Sequence, residues 1–344
     1  MRLSSSRSTA ILHRPQQDFL LWDRAGTRPS LDQQFADRKD LIDAISGQQL
    51  ITHTRASAGT YRGSDGLIKT ATTDEARFDH DPVTGESLGL LVEEQRSNLL
   101  LNSGTLATQD VTVAAVAHTL SFYGSGTVTL SGAHTATVIG TGAYPARTTL
   151  TFTPTAGTLT VTVSGTVEYA NLEIGSFATS YIPTTSSTVT RAADVVSITG
   201  ANFSSWFNES EGSIFCDHTE ARPNSAVIYG FANTFDNAFY VIPGSSNNVF
   251  SRTTGSLEAQ LSLNITGAGP FKHATAYQLN NFAASLNGGS ISSDMTGLVP
   301  SGPVRFAIGT APWAPGLNQS NSRIRRLVYW PQRLPNNTLQ TITQ

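Results

Sequence analysis

The sequence contains a single cysteine, Cys216, among its 344 residues. One thiol cannot form a disulfide within the chain, so no internal cross-link contributes to stability. Cys216 lies in the apolar run GSIFCDH, which favours a small buried side chain over a reactive thiol. The stability of the fold must therefore come from the burial of sheets or from oligomerisation.

Charged residues and long apolar runs are also scarce. Asp, Glu, Lys and Arg make up 14% of the chain and the formal net charge is −3, which excludes a strongly basic, phosphate-binding surface. No run of eighteen apolar residues occurs, and the first residues, MRLSSSRSTAILHRPQQ, lack an apolar core of signal-peptide length. We therefore expect synthesis in a host cytoplasm, no membrane span and no nucleic-acid partner.

Motifs of the common enzyme classes are missing as well. The seven histidines are scattered, without an HExxH pattern or a Cys/His cluster, so zinc is not expected. No GxSxG elbow, P-loop or GxGxxG motif opens a helix. Glu93 and Glu94 are adjacent in a strand-like run and face opposite sides, unlike the paired carboxylates of a glycosidase. We expect no enzymatic activity and no cofactor.

The segment FDHDPVTGE combines three carboxylates and a histidine, namely Asp79, His80, Asp81 and Glu86. Such oxygen ligands suit calcium. However, the spacing matches no EF-hand loop and Pro82 interrupts the run of ligands. A hydrogen-bonded turn without metal is the expected structure.

The abundant residues are small, β-branched or hydroxylated. Between 102 and 179, runs such as TLTVTVSGTVEYANLEIG alternate apolar and hydroxyl residues, with glycine at intervals, which is typical of a small antiparallel sandwich. After Thr190, many short strand-like runs separated by glycine and asparagine indicate a second, larger sandwich. The segment 31–47 is compatible with either a short helix ending at Gly47 or a strand. The predicted class is all-β.

Two passages carry a family resemblance. Residues 66–101, which include GLLVEEQRSNLL, and the later FATSYIPTTSSTVTRAADVVSI are similar to a recurrent block in phage and prophage virion proteins. These are tail, fibre and head-surface components built from jelly-roll sandwiches. Within the larger sandwich, GSIFCDH, FAASLNGG, VRFAIGT and RIRRLVYWPQRLPNNTLQTIT resemble a concanavalin-A-like (laminin-G-like) jelly roll. The smaller sandwich resembles a carbohydrate-binding module.

The resemblance and the patterns together predict four regions: an extended N-terminal arm for virion attachment over 1–50, a turn-rich connector over 51–104, the small sandwich over 105–185, and the large jelly roll over 186–344. The arm is polar and then abruptly aromatic, so it should dock on a neighbouring domain or chain. Its predicted anchoring residues are Phe19, Leu20, Leu21 and Trp22.

Sugars are held by aromatic faces together with Asn, Asp and Arg side chains. The predicted glycan-binding residues of the large sandwich are Trp206, Tyr229, Phe235, Asp236, Asn237, Tyr240 and Arg252, with Trp313 as a further aromatic. In the competing interpretation, Trp313 and Trp330 cover the core and bind no ligand. For Trp206 and the 235–237 turn, burial and glycan binding are equally supported by the sequence.

We therefore predict a phage virion surface protein, a tail fibre or capsid-surface adhesin, that attaches to a tail, portal or capsid component and binds a host-surface glycan. A homo-oligomer such as a trimer is expected of such fibres. The first alternative is a structural decoration protein without a ligand. The second is a polysaccharide depolymerase, which would require two acidic side chains to face each other across a cleft, for instance Asp217 or Glu220 with Asp236.

Overall fold

The computed structural model describes residues 17–221, 226–244, 246 and 248–344. In the first half the elements are α1 (Gln17–Ala25), β1 (Leu31–Gln33), α2 (Phe35–Arg38), β2 (Thr52–Thr54), β3 (Gly59–Arg62), β4 (Ile68–Ala71), β5 (Phe78–His80), β6 (Ser87–Val92), β7 (Arg96–Asn98), β8 (Gln109–Val113), β9 (His118–Tyr123), β10 (Thr127–Gly132), β11 (Ala136–Ile139), β12 (Thr148–Phe152), β13 (Gly157–Ser164) and β14 (Glu168–Ile174).

The second half contains β15 (Val189–Arg191), β16 (Val195–Thr199), α3 (Gly200–Ser204), β17 (Glu211–Ala221), β18 (Tyr229–Thr234), β19 (Asn237–Val241), β20 (Val249–Thr253), β21 (Ser256–Leu261), β22 (Gly267–Gln278), β23 (Phe282–Leu286), β24 (Ser292–Asp294), β25 (Arg305–Ile308), β26 (Ser322–Trp330) and α4 (Asn336–Ile342). The predicted all-β class, with two antiparallel sandwiches, is confirmed.

The large sandwich consists of two antiparallel sheets. The first has eight strands in the order β24-β23-β22-β17-β26-β6-β5, with β1 also paired to β26. The second has seven, in the order β2-β16-β25-β18-β19-β20-β21. Alternate side chains of both sheets meet in one apolar core, for example Ile214 and Leu327 from the first sheet and Phe231, Phe239 and Phe306 from the second.

Strands from the predicted arm and connector belong to this sandwich, which corrects the predicted boundaries. Leu31 of β1 pairs with Tyr329, and β6 pairs with β26 from Leu90 to Val92. His53 of β2 pairs with Val196 in the other sheet. These strands are three to six residues long and their partners lie far along the chain, so local patterns did not reveal the pairing.

The small sandwich is inserted into the large one. Its sheets, β11-β10-β13-β8 and β12-β9-β14, enclose a separate core that includes Leu120, Phe122 and Val161. The chain enters it after β7 and leaves it before β15, and these two strands pair with each other, Asn98 opposite Val189. The large sandwich is therefore discontinuous in sequence.

A buried ion network joins the two passages that carry the family resemblance. Arg77 Nη1 lies 2.8 Å from Glu93 Oε2, and Arg77 Nη2 lies 2.5 Å from Asp194 Oδ2. Arg55 reaches the other oxygen of Asp194 at 3.0 Å, and Arg191 lies 3.0 Å from Glu93. All five side chains are buried, so each charge depends on the others for compensation.

Glu93 also ties the loop after β14 to this network, because Ser180 donates its backbone N–H (2.7 Å) and its hydroxyl (2.7 Å) to the carboxylate. Burial raises the pKa of Glu93, but Arg191, Arg77 and the Ser180 bonds outweigh it and bring the pKa to about 2. The same balance, with Arg77 as the main charge, holds the pKa of Asp194 well below its usual range. Both carboxylates are ionised in the folded protein.

The outer surface of the eight-stranded sheet is covered by α1 and α4. Leu21 of α1 packs in a second apolar cluster with Val328, Trp330 and Leu339, and Trp22 packs against it. Trp22 also donates its indole N–H to Asp32 at 3.1 Å. These two predicted anchoring residues thus contact their own sandwich. The side chains of Phe19 and Leu20 lie outside the described residues, as does the segment 1–16 of the predicted arm.

No helix in the described ranges is long and apolar enough to cross a membrane.

Candidate functional site

The outer surface of the seven-stranded sheet carries an aromatic cluster. Strand alternation explains its formation: on β18 and β19, Phe231 and Phe239 point into the core, whereas Ala232 and Tyr240 point outward. On β20, Val249 lies in the core, so its neighbour Phe250 lies on the outer surface. Small residues such as Ala232 leave room for large rings on adjacent strands.

Five side chains form this surface, which we call the aromatic face: Phe235, Tyr240, Phe250, Arg252 and Trp313. The rings of Tyr240 and Phe250 stack at 5.1 Å between centroids. Trp313 meets Tyr240 edge-on at 4.9 Å and Phe235 edge-on at 5.0 Å. The guanidinium carbon of Arg252 lies 4.8 Å from the centre of the Phe235 ring, within cation–π range.

Two loops position the outer rings. The β18–β19 turn carries Phe235 and Asp236, and its backbone is held because Gly255 donates its N–H to the Asp236 carbonyl at 3.0 Å. The β25–β26 loop brings Trp313 over the sheet, where Arg305 donates to the carbonyl of Pro312 at 3.1 Å. Phe235 remains 45% exposed, whereas Tyr240 is 7% exposed. The ring that is open to solvent lies at the edge of the cluster.

Polar groups border the exposed ring. Asn237 exchanges hydrogen bonds with the backbone of Ser301, donating at 2.5 Å and accepting at 3.1 Å. Arg252 donates to the Gly255 carbonyl at 2.9 Å. Burial raises the pKa of Tyr240, and the charge of nearby Arg252 opposes this shift. At neutral pH the face therefore presents a neutral phenol, a cation and the exposed side chain of Asp236.

The structure separates the predicted glycan-binding residues into two groups. Phe235, Tyr240 and Arg252 are neighbours on the aromatic face, and Asp236 and Asn237 lie on the turn beside it. They share one surface because β18, β19 and β20 are consecutive neighbours in the sheet.

Trp206 and Tyr229 are in the core, which corrects their predicted place on a binding surface. Trp206 is 6% exposed and contacts Phe306 and Tyr329 edge-on. Tyr229 occupies an inward position of β18 and donates or accepts a 2.9 Å bond with Thr275 of the opposite sheet. An inward strand position leaves a large ring no route to solvent.

Phe250 was absent from the predicted set. The signal is present in NVFSRTT, where a period of two puts Phe250 and Arg252 on the same side of a strand. Trp313 is partly buried and caps the outer surface of the sheet rather than the sandwich core.

The carboxylates required by the depolymerase alternative are not brought together. Asp217 and Glu220 lie on β17 of the eight-stranded sheet, where they pair with Arg325 at 3.7 Å and Arg323 at 2.8 Å. Asp236 lies on the outer turn of the other sheet. Strand β17 and the β18–β19 turn belong to different sheets of the large sandwich, so the example pair given for the depolymerase alternative does not form.

The acidic segment after β5 forms the expected turn. Asp81 accepts the backbone N–H groups of Val83 (2.9 Å) and Thr84 (2.8 Å), and these bonds lower its pKa. Asp79 instead pairs with Arg323 at 2.6 Å. Within the described ranges, no three His, Cys, Asp or Glu side chains are grouped so that they could hold a metal ion.

Comparison with known proteins yields no family. No family model matches the chain, and no curated protein matches it either. Among solved structures, the NanB sialidase of Streptococcus pneumoniae is similar over 42% of this chain, with 14% identity and a TM-score of 0.34. This chain spans 26% of the length of that sialidase.

Two smaller structures are also similar. The CBM40 of the Ruminococcus gnavus IT-sialidase, bound to α2,6 sialyllactose, has 14% identity and a TM-score of 0.32, covering 40% of this chain and 85% of its own. Domain 4 of AbnA, a GH43 arabinanase of Geobacillus stearothermophilus, has 11% identity and a TM-score of 0.33, covering 49% and 82%. Likenesses of this strength assign no function.

Proposed function

We propose that this chain is a non-enzymatic phage virion surface protein, a tail-fibre or head-surface component, that binds a host-surface glycan through its aromatic face. The virion assignment is supported by the family resemblance of the two passages that meet in the buried ion network. The binding assignment is supported by one observation above all: an exposed ring, Phe235, with a guanidinium stacked on it and further rings behind it.

The chemistry of the face suits a sugar. Aromatic rings attract the CH-rich side of a pyranose, while Arg252 and Asp236 offer a donor and an acceptor to its hydroxyl groups. Tyr240, Phe250 and Trp313 fix the position of Phe235 through ring contacts, so the site is preorganised and less ordering is needed on binding.

Attachment to the virion is proposed for the part of the chain that precedes β1. Strands β1, β2, β5 and β6 are occupied in the large sandwich and are not free to dock elsewhere. The partner would be a tail, portal or capsid component, with the chain assembled as a homo-oligomer.

The test is a glycan array probed with the full chain and with a Phe235→Ala, Trp313→Ala double variant. We expect saturable binding by the parent chain and a loss of about tenfold or more in the variant, because each removed ring contact contributes about 0.5–1.5 kcal/mol beyond its buried area. Leu279→Ala, at an exposed position on a turn of the eight-stranded sheet, serves as the matched control and should bind like the parent.

Unchanged binding by the double variant would refute the aromatic face as the site. A correctly folded parent chain that binds no glycan and no host envelope would refute the adhesin and favour the structural decoration protein, in which these rings serve the packing of the loop alone.

A further inference from the structure

Besides the aromatic face, the molecule has a polar cleft where the β3–β4 hairpin, the small sandwich and the eight-stranded sheet meet. It encloses about 110 Å³, enough for several water-sized groups. Its walls include Tyr61 and Arg62 from the hairpin, Tyr123 and Arg147 from the small sandwich, and Asp79 and Arg323 from the large one. The cleft belongs to a different part of the molecule from the aromatic face.

The carboxylates of the cleft form ion pairs with arginines of the protein itself. Asp79 and Glu220 share Arg323, at 2.6 Å and 2.8 Å. Glu93, at the cleft floor, belongs to the buried ion network and pairs with Arg77 at 2.8 Å.

Two guanidinium groups of the cleft lack a carboxylate partner. Arg147 donates to neutral oxygens, the Thr179 carbonyl and the Ser121 hydroxyl, both at 2.7 Å. The backbone of Arg62 is fixed at both ends, by Asp79 at 2.6 Å and by His80 at 3.0 Å. Its guanidinium forms no hydrogen bond or ion pair with any residue that the structure describes. The lining contains three arginines and three carboxylates, and Arg77 and Arg191 behind Glu93 add positive charge next to the cleft.

A further tyrosine lies behind the lining residue Tyr123. The ring of Tyr144 lies 5.1 Å from that of Tyr123, and its hydroxyl is buried without a hydrogen-bond partner among the described residues. Burial raises the pKa of Tyr144, and the nearby charge of Arg62 opposes that shift. A buried hydroxyl without a partner is unfavourable, so Tyr144 supports the wall of the cleft through its ring contact with Tyr123 and not through its hydroxyl.

We propose that this cleft binds an oxyanion carried by an acidic saccharide unit, with the carboxylate at the Arg62 guanidinium. Guanidinium groups bind carboxylates and related oxyanions in bidentate geometry. Tyr61 and Tyr123 provide apolar ring surface beside the charge, which a free inorganic ion would not use. The ligand class is thus a carboxylated sugar in preference to a neutral one.

The experiment is a calorimetric titration of the full chain with D-glucuronate, D-glucose and sodium sulfate at low salt. We expect saturable binding of D-glucuronate and none of D-glucose. Arg62→Gln should weaken D-glucuronate by about tenfold or more, the size of a lost charged hydrogen bond. Tyr144→Phe should leave D-glucuronate binding unchanged and the melting temperature unchanged or higher, because a buried unpaired hydroxyl outside the cleft lining is removed.

Leu279→Ala, which belongs neither to the cleft lining nor to the aromatic face, is the matched control and should leave D-glucuronate binding unchanged. Arg62→Gln should leave glycan binding by the aromatic face unchanged, so failure of this cleft and failure of the aromatic face can be told apart. Equal binding of D-glucose and D-glucuronate, or an Arg62→Gln variant that binds like the parent, would overturn the proposal. Sulfate that binds as tightly as D-glucuronate would overturn the saccharide part, because the tyrosine rings would then contribute nothing.

Discussion

Asp194 has four hydrogen-bonding partners at the centre of the ion network. Its Oδ1 accepts from Arg55 at 3.0 Å and lies 3.3 Å from His53 Nε2, while its Oδ2 accepts from Arg77 at 2.5 Å and from the backbone N–H of Glu93 at 2.9 Å. The carboxylate is fully buried. Removing a buried charge of this kind is destabilising mainly because its partner charges stay buried without compensation.

Asp194→Asn should reduce the free energy of unfolding by about 3–5 kcal/mol, because Arg55 and Arg77 would remain buried with too little negative charge. Urea unfolding followed by tryptophan fluorescence measures this in the large sandwich, since all four tryptophans lie outside the small one. Asp65→Asn, which disrupts an exposed pair with Lys69, is the control and should have little effect. Equal stability of the two variants would contradict a structural role for the network.

Two neutral histidines lie inside the large sandwich. His218 and His273 have ring centroids 5.2 Å apart, and both side chains are fully buried. Burial lowers the pKa of His218 to about 4, and burial together with His218 lowers that of His273 well below its ordinary value. Neither imidazole gains a proton in the folded protein until the solution is acidic.

The protein should therefore lose stability as the pH falls from about 6.5 to about 4. When the pKa of a histidine is lower in the folded state, the unfolded state binds a proton first as the pH falls. The folded protein therefore has its full stability above the unfolded-state pKa and loses stability as the pH falls from that value to the folded-state pKa. For His218 the change from 6.5 to about 4 corresponds to about 3 kcal/mol. Asp217 acts in the opposite direction, because burial raises its pKa to about 6.

Urea unfolding at a series of pH values measures this slope, and His218→Gln should flatten it between pH 6.5 and 4. His134→Gln, at a partly exposed position in the small sandwich, should leave the slope unchanged. A slope that is identical in all three proteins would show that the buried imidazoles do not control acid stability.

At the scale of elements, β17, β22 and β26 form the centre of the eight-stranded sheet. They are 11, 12 and 9 residues long, and β17 pairs with both of the others. Short strands are added at the side of β26: β1 along Leu327 to Tyr329 and β6 along Ser322 to Ile324. Gly89 allows β6 to approach, since a Cβ there would collide with the Ile324 carbonyl.

The aromatic face is also a product of element order. Strands β18, β19 and β20 are consecutive hairpin neighbours. Their outward-pointing residues are therefore adjacent because of local hairpin pairing, without contacts from distant parts of the chain. Trp313 reaches the same surface from a loop about 60 residues later, because β25 is the neighbour of β18. The hairpins thus position most side chains of the aromatic face, and the loop after β25 adds Trp313.

At the scale of the whole molecule, the large sandwich is assembled from two separated parts of the chain. Its strands lie within residues 31–92 and 195–330, and the small sandwich lies between these two parts. The paired strands β7 and β15 close the base of the insertion, and the ion network lies beside them. Removing either part leaves unpaired sheet edges and an exposed core.

This arrangement predicts how fragments behave. The fragment 186–344 should not fold, because it lacks β1 and β6 beside β26 and β2 beside β16. A chain in which residues 99–188 are replaced by a short Gly-Ser linker should fold, because Asn98 and Val189 are already opposite each other. Circular dichroism and the dispersion of amide NMR signals distinguish the outcomes. A well-folded 186–344 fragment would contradict the discontinuous sandwich.

Much of the candidate site could be predicted from the sequence. Phe235, Tyr240 and Arg252 were identified from loop and strand patterns, and they do share one surface. Trp206 and Tyr229 were misplaced because aromatic residues look the same in sequence whether they point inward or outward. The direction depends on the register of a strand against its neighbours, which single-sequence patterns do not specify.

The sequence by itself determined the all-β class, the small sandwich with its period of two, and the absence of disulfides. These properties are local, since alternation and glycine turns act over about ten residues. Tertiary structure alone decided that β1, β2, β5 and β6 join the large sandwich and that Arg55, Arg77, Glu93, Arg191 and Asp194 meet. Such contacts join residues up to about 300 positions apart, and the burial energy that selects them exists only in the assembled core.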